Sequence, residues 1–109
     1  MENKKFLLDR CITNEPIEQE GYLRFSVLQW NTLASCYSRP KYYPTIKSEF
    51  VSFDYRKNLI SEEIKSSDPD IVCLQEVDES DLEFYQTVSN QDSYSSRYSK
   101  KHFSKDGNC

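Results

Sequence analysis

The chain has 109 residues, enough for one domain or part of one. A hydrophobic share of 37% and a mean hydropathy of −0.80 make it lean in core material, while an aromatic share of 14% argues against wholesale disorder. The formal net charge of −4 and a pI near 5.0 exclude an overall basic surface of the kind that holds nucleic acid by counterion release, so a phosphate-bearing ligand has to be held locally, by a metal or a few cations.

Residues 1–21 are mixed and polar, interrupted by Asn14, Pro16 and Gly21, and read as an N-terminal arm. The stretch Met1 to Arg10 has an apolar run of only three residues, far short of a signal peptide or a membrane span. The remainder, 22–109, is expected to form the body. The cysteines, Cys11, Cys36, Cys73 and Cys109, include no C-x-x-C pair, and His102 is the sole histidine, so zinc-site spacing is absent. This points to a reducing setting, cytoplasmic or nuclear, with Cys73 an ordinary buried thiol inside a strand.

Tyr22 to Asn31 reads as a strand. Leu23, Phe25 and Val27 alternate with Arg24 and Ser26, then Leu28 and Trp30 carry apolar character to the other face. Such a strand is expected to be covered on both sides near its C-terminal end. Thr32 to Lys47 contains Pro40, Pro44 and several tyrosines with no regular period, and is expected to be a long loop that can wall a pocket. Ser52 to Ser66 is the clearest helix, with Phe53, Ile60 and Ile64 on one face, Ser52 as N-cap and Asp54 in the first turn. Arg56 falls near the apolar stripe and reads as structural, snorkelling or paired with a buried acid. Pro69 ends the helix by pushing Asp68 out of the right-handed α region. Asp70 to Val77 is a second strand, Asp81 to Ser89 a short helix, and the alternation of Tyr94, Ser96 and Tyr98 suggests a third strand. Lys105-Asp-Gly107 reads as a turn.

Strand, helix, strand forms a βαβ crossover, which makes the two strands parallel. Open sheets place ligands beyond the carboxyl ends of such strands. Asn31 and Glu76 stand at those ends. Magnesium is commonly held by one or two carboxylates plus waters and substrate phosphates, so Glu76 suits a hard cation and Asn31 can orient a phosphate oxygen, a water or the carboxylate. Taken singly, each has an ordinary alternative: Glu76 as a solvated strand-end acid, Asn31 as a turn residue. Lys105 is either a phosphate-facing cation or an exposed turn lysine. Arg97, Lys100, Lys101 and Lys105 form a local positive excess that also reads as a solvated face. His102 reads as a surface histidine.

Two strings are specific enough to carry a resemblance. Val27-Leu-Gln-Trp-Asn-Thr-Leu-Ala34 and Asp70-Ile-Val-Cys-Leu-Gln-Glu-Val-Asp78 resemble the opening motifs of the endonuclease/exonuclease/phosphatase superfamily, most closely its deadenylase branch of nocturnin- and Angel-like proteins. Tyr55 to Ile64, Tyr94 to Tyr98 and Lys105 to Cys109 resemble later segments in register, with Asn108 interrupting the usual D-G-C. The resemblance implies an α/β fold, here an incomplete two-layer α/β sandwich of the DNase-I-like type. It also implies Mg2+-dependent hydrolysis of a phosphate ester, with Glu76 as the metal-binding acid, Asn31 as the active-site amide and Lys105 as a weaker match to a basic substrate-binding residue. The implied substrate is the 3′ end of RNA, poly(A)-like, or a nucleotide. The family's histidine, its Asp-x-Asn pair and its Ser-Asp-His motif are missing, so the chain reads as an N-terminal fragment, inactive and poorly soluble alone. The alternative reading is a non-catalytic protein- or RNA-binding module.

Overall fold

The computed structural model describes residues 20–102. Two five-residue strands, β1 (Val27–Asn31) and β2 (Ile71–Gln75), flank a short helix α1 (Ser48–Val51) and a long helix α2 (Phe53–Ser67), and α3 (Leu82–Gln91) follows. The strands pair in parallel, Val27 opposite Ile71 and Asn31 opposite Gln75, so the expected βαβ arrangement is present. The architecture is mixed α/β.

The pleat sorts the two sheet faces. Leu28 and Trp30 of β1 stand opposite Val72 and Leu74 of β2, and all four pack with Ile60 and Ile64 of α2. Phe53, Tyr85 and Tyr94 complete that core. The opposite face is open: Val27 is 53% exposed and Ile71 46%, and Cys73, two residues further along β2, is exposed as well. Two expectations are thereby corrected. β1 is not covered on both sides, and Cys73 is not a buried thiol, because no element among the described residues lies on that face.

Helix α2 forms where expected. The Ser52 hydroxyl accepts from the Tyr55 N–H at 3.3 Å, and Asp54 pairs with Lys57 at 3.2 Å. The helix stops at Asp68, which sits left-handed (φ 44) and donates its N–H to the Ile64 carbonyl. The loop after β1 contains a 3₁₀ turn over Pro40–Tyr42 and the short α1, neither of which has a periodic sequence signal.

The elements differ from the sequence reading in four places, one being β2, which spans Ile71–Gln75 rather than Asp70–Val77. β1 begins at Val27 rather than Tyr22, and Tyr22, Leu23 and Phe25 are exposed. A 3₁₀ turn over Glu79–Asp81 precedes α3. The third strand does not form. The segment 94–98 is held by side chains instead: the Tyr94 hydroxyl donates to the Pro69 carbonyl and the Tyr98 hydroxyl to the Val77 carbonyl at 3.2 Å. The tyrosine alternation reflects two rings reaching toward the two ends of β2, not a backbone ladder. Burial raises both phenols above their ordinary range. Among the described residues no helix is long and apolar enough to cross a membrane.

Candidate active site

Both ends of the strand pair are fastened by side chains. At the N-terminal end Asp70 accepts from the Ser26 N–H (2.7 Å) and hydroxyl (3.2 Å), while the Asp70 N–H donates to the Ser26 hydroxyl (3.0 Å). At the C-terminal end the Thr32 N–H and hydroxyl both donate to the Gln75 carbonyl at 3.0 Å. Parallel pairing in this register brings the residues after each strand together at one rim.

There, Asn31 Nδ2 donates to Glu76 Oε1 at 2.8 Å. Asn31 Oδ1 accepts from the Leu33 N–H at 2.9 Å, which fixes the amide with its nitrogen toward the carboxylate. Glu76 Oε2 accepts from the Ala34 N–H at 3.0 Å. Reaching this arrangement takes two left-handed residues, Leu33 (φ 64) and Glu76 itself (φ 58). Non-glycine residues in such conformations cost on the order of 1–3 kcal/mol, and they persist only where neighbours hold them.

The neighbours are Arg56 and Asp78. Arg56 donates to the carbonyls of Thr32 (2.6 Å), Leu33 (3.1 Å) and Val51 (3.1 Å). It is structural, as expected, but its partners are carbonyls and not an acid. Burial lowers its pKa from the ordinary guanidinium range, partly offset by Tyr85, Asp81, Tyr43 and Asp78 around it. Asp78, only 4% exposed, accepts the Ser35 N–H on Oδ2 at 2.7 Å, and its Oδ1 is buried without a hydrogen-bond partner. Glu76 and Asp78 thus hold consecutive amides, those of Ala34 and Ser35. Burial, then Asp78, pushes the Asp81 carboxyl up against the opposing pull of Arg56. Burial likewise raises Tyr85, with Thr32 nearby pulling the other way.

Asn31 is exposed and Glu76 half-buried, and both lie on the wall of an open cavity of about 750 Å³ that runs beside β2 toward Tyr85, Tyr94 and Tyr98. Among the described residues each Glu76 oxygen accepts a single hydrogen bond, which leaves it a lone pair for a cation. The donor set is all oxygen and carries one charge, which suits a hard ion that retains most of its water. No group of three or more His, Cys, Asp or Glu residues capable of holding a metal occurs among the described residues.

The sequence reading singled out Asn31 and Glu76, which touch. Lys105 lies outside the described residues. His102 is exposed. The reading missed the Ala34 and Ser35 amides, the role of Asp78 and the targets of Arg56. The one sequence signal for Asp78 is its i, i+2 spacing from Glu76.

Residues 28–108 match the sequence model of the Endonuclease/Exonuclease/phosphatase family. The chain is 38% identical over 90 residues to the Candida albicans CCR4-Not complex 3′-5′-exoribonuclease subunit Ccr4, covering 82% of this chain and 11% of that protein. The Saccharomyces cerevisiae protein of the same name is 46% identical over 61 residues (56% of this chain, 7% of that protein). Its Schizosaccharomyces pombe counterpart is 33% identical over 93 residues (85% and 13%). The chain therefore spans about a tenth of the length of these relatives. No solved structure matches it.

Proposed function

The chain belongs to the endonuclease/exonuclease/phosphatase family, and from that premise we propose that it supplies one wall of a Mg2+-dependent phosphodiesterase that shortens RNA from the 3′ end. The observation that carries this reading is the Asn31–Glu76 contact at 2.8 Å, at the carboxyl ends of two parallel strands, with the Ala34 amide on the second carboxylate oxygen. The exoribonuclease names of the similar proteins support RNA as the substrate.

In this reading Glu76 holds the ion through a carboxylate lone pair. A bound magnesium would supply Lewis-acid polarisation of a phosphoryl oxygen. Asn31 and the Ala34 amide fix the carboxylate in one orientation, so little reorganisation is needed when a cation arrives. Asp78 and Arg56 act through the backbone of 32–35: they hold the loop whose amides hold Glu76. In this reading none of these groups takes the proton from an attacking water, a role worth about 10²–10⁴-fold in rate where a positioned base provides it. The 109-residue chain is therefore expected to bind a divalent ion and not to turn over substrate.

The test is Mn2+ and Mg2+ titration of the chain by calorimetry and by paramagnetic broadening of the amide signals of Ala34 and Glu76. Glu76→Gln is expected to weaken binding by about tenfold or more. Unchanged affinity and broadening in that variant would sink the assignment. Incubation with a labelled oligoadenylate and with a nucleotide phosphate ester should give no Glu76-dependent cleavage. If the chain cleaves either one and Glu76→Gln abolishes it, the inactivity is wrong and the preferred ester names the substrate.

A further inference from the structure

The stretch Tyr37–Lys47 has an unusual charge pattern for this chain. Its eleven residues include Arg39, Lys41 and Lys47 and no acid, in a protein of net charge −4. Interleaved with those cations are Tyr37, Tyr42 and Tyr43. Tyr37 is 49% exposed and Tyr42 54%, and neither belongs to the core around Leu28, Ile60 and Ile64. Other large side chains, Tyr22 and Phe25 among them, are more exposed still, so it is the alternation of these rings with cations that singles the stretch out.

The stretch is also ordered by its own backbone. The Tyr42 N–H donates to the Arg39 carbonyl (2.9 Å), the Tyr43 N–H to Pro40 (3.0 Å) and the Ile46 N–H to Tyr43 (3.0 Å), while the Ser38 hydroxyl reaches the Val51 carbonyl. The Lys41 ammonium sits 4.9 Å from the centre of the Tyr42 ring, so a cation and a π face are presented together. The stretch is coupled to the rim through Ala34 and Ser35, the Ser38 N–H donating to the carbonyls of both. Ala34 donates its N–H to Glu76 and accepts the Tyr37 N–H on its carbonyl at 2.9 Å.

We propose that Tyr37–Lys47 is a docking surface for single-stranded RNA, in which bases stack on Tyr37 and Tyr42 and Arg39, Lys41 and Lys47 meet the backbone phosphates. Exposed rings between cations match how single strands are held without sequence readout. The tyrosines and Arg39 would suit a protein interface too, but two of the three cations are lysines, in which interface cores are depleted. The choice of RNA rests on the function proposed above, whereas the choice of a single-stranded polyanion rests on the charge and ring pattern alone.

The experiment is fluorescence anisotropy of a fluorescein-labelled oligoadenylate with the full chain in EDTA, which removes any contribution from a bound ion. Tyr37→Ala and Tyr42→Ala are each expected to weaken binding about tenfold, with Tyr→Phe retaining affinity and Tyr→Leu losing it, because the ring and not the apolar area is used. With three phosphate contacts the log–log salt slope should be about −2 and should shrink in Lys41→Ala. Mn2+ affinity should be unchanged in the tyrosine variants, whereas Glu76→Gln should lose it. The two proposals therefore fail separately. Retained RNA affinity in the Tyr→Leu variants, or equal affinity for duplex RNA, overturns the docking surface. If those variants leave RNA binding intact and weaken association between chains, the segment is a protein contact instead.

Discussion

Asn31 is held at both ends of its amide, by the Leu33 N–H on oxygen and by Glu76 on nitrogen. A carboxylate in its place would keep the first bond and set two negative charges against each other across the second. Asn31→Asp is therefore expected to lower the melting temperature without metal and to raise Mn2+ affinity, because the cation would then screen a repulsion as well as join a donor. Parallel calorimetric melts and titrations check both signs. Asp81 gives a pH-dependent counterpart. Burial, then Asp78, raises its folded pKa, so the folded chain holds that proton more tightly than the unfolded chain does. Its effect on stability is favourable in acid and is lost as pH rises from the ordinary carboxylate value through the raised one. Asp81→Asn should therefore be slightly more stable than the parent near neutral pH and indistinguishable from it in acid, read from urea melts at both. At this scale the sequence was informative where strand logic applied: two polar residues ending two apolar runs, Asn31 and Glu76, meet. It was silent on the Ala34 and Ser35 amides, because their aim depends on the left-handed turn at Leu33, and a leucine gives no hint of positive φ.

The elements are tied together chiefly through α2. Its capping serine and the apolar face of Phe53, Ile60 and Ile64 were legible, because both follow from short-range spacing. The four-residue α1 was not legible, being too short to carry a period. Nor was the absence of a third strand, since the alternation of Tyr94 and Tyr98 reports which side the rings face but not whether the backbone finds a ladder partner. Arg56 shows what spacing alone leaves out. From the helix it reaches the carbonyls of Thr32, Leu33 and Val51, and so joins α2, the rim loop and the end of α1. A lysine carries the charge but not the planar fork. Arg56→Lys is expected to cost about 2–3 kcal/mol in a urea melt, from charged hydrogen bonds lost to half-buried carbonyls. It should also speed hydrogen exchange at the Ala34 and Ser35 amides more than at the middle of α2. Uniform acceleration across the helix would mean that Arg56 supports only the fold.

Viewed whole, the molecule buries one sheet face and leaves the other open, with Phe25 68% exposed beside Val27 and Ile71. Exposed apolar surface of this kind favours association between chains. The chain is expected to sediment as a concentration-dependent mixture and to bind an apolar dye, and Phe25→Lys with Ile71→Lys should shift it toward monomer while leaving Mn2+ affinity intact. A sharp melt from a strict monomer with no dye binding would contradict this. The openness itself could not be read from the sequence, because an apolar strand residue looks the same whether its cover is present or not.

Leu33 and Glu76, the two left-handed residues past the ends of β1 and β2, are linked through Asn31 and Ala34, so neither can relax to an easier conformation alone. Releasing one removes the bonds that restrain the other. The mouth of the strand pair thus presents the Glu76 carboxylate in one orientation, each of its oxygens tied to a residue that leaves the neighbouring strand.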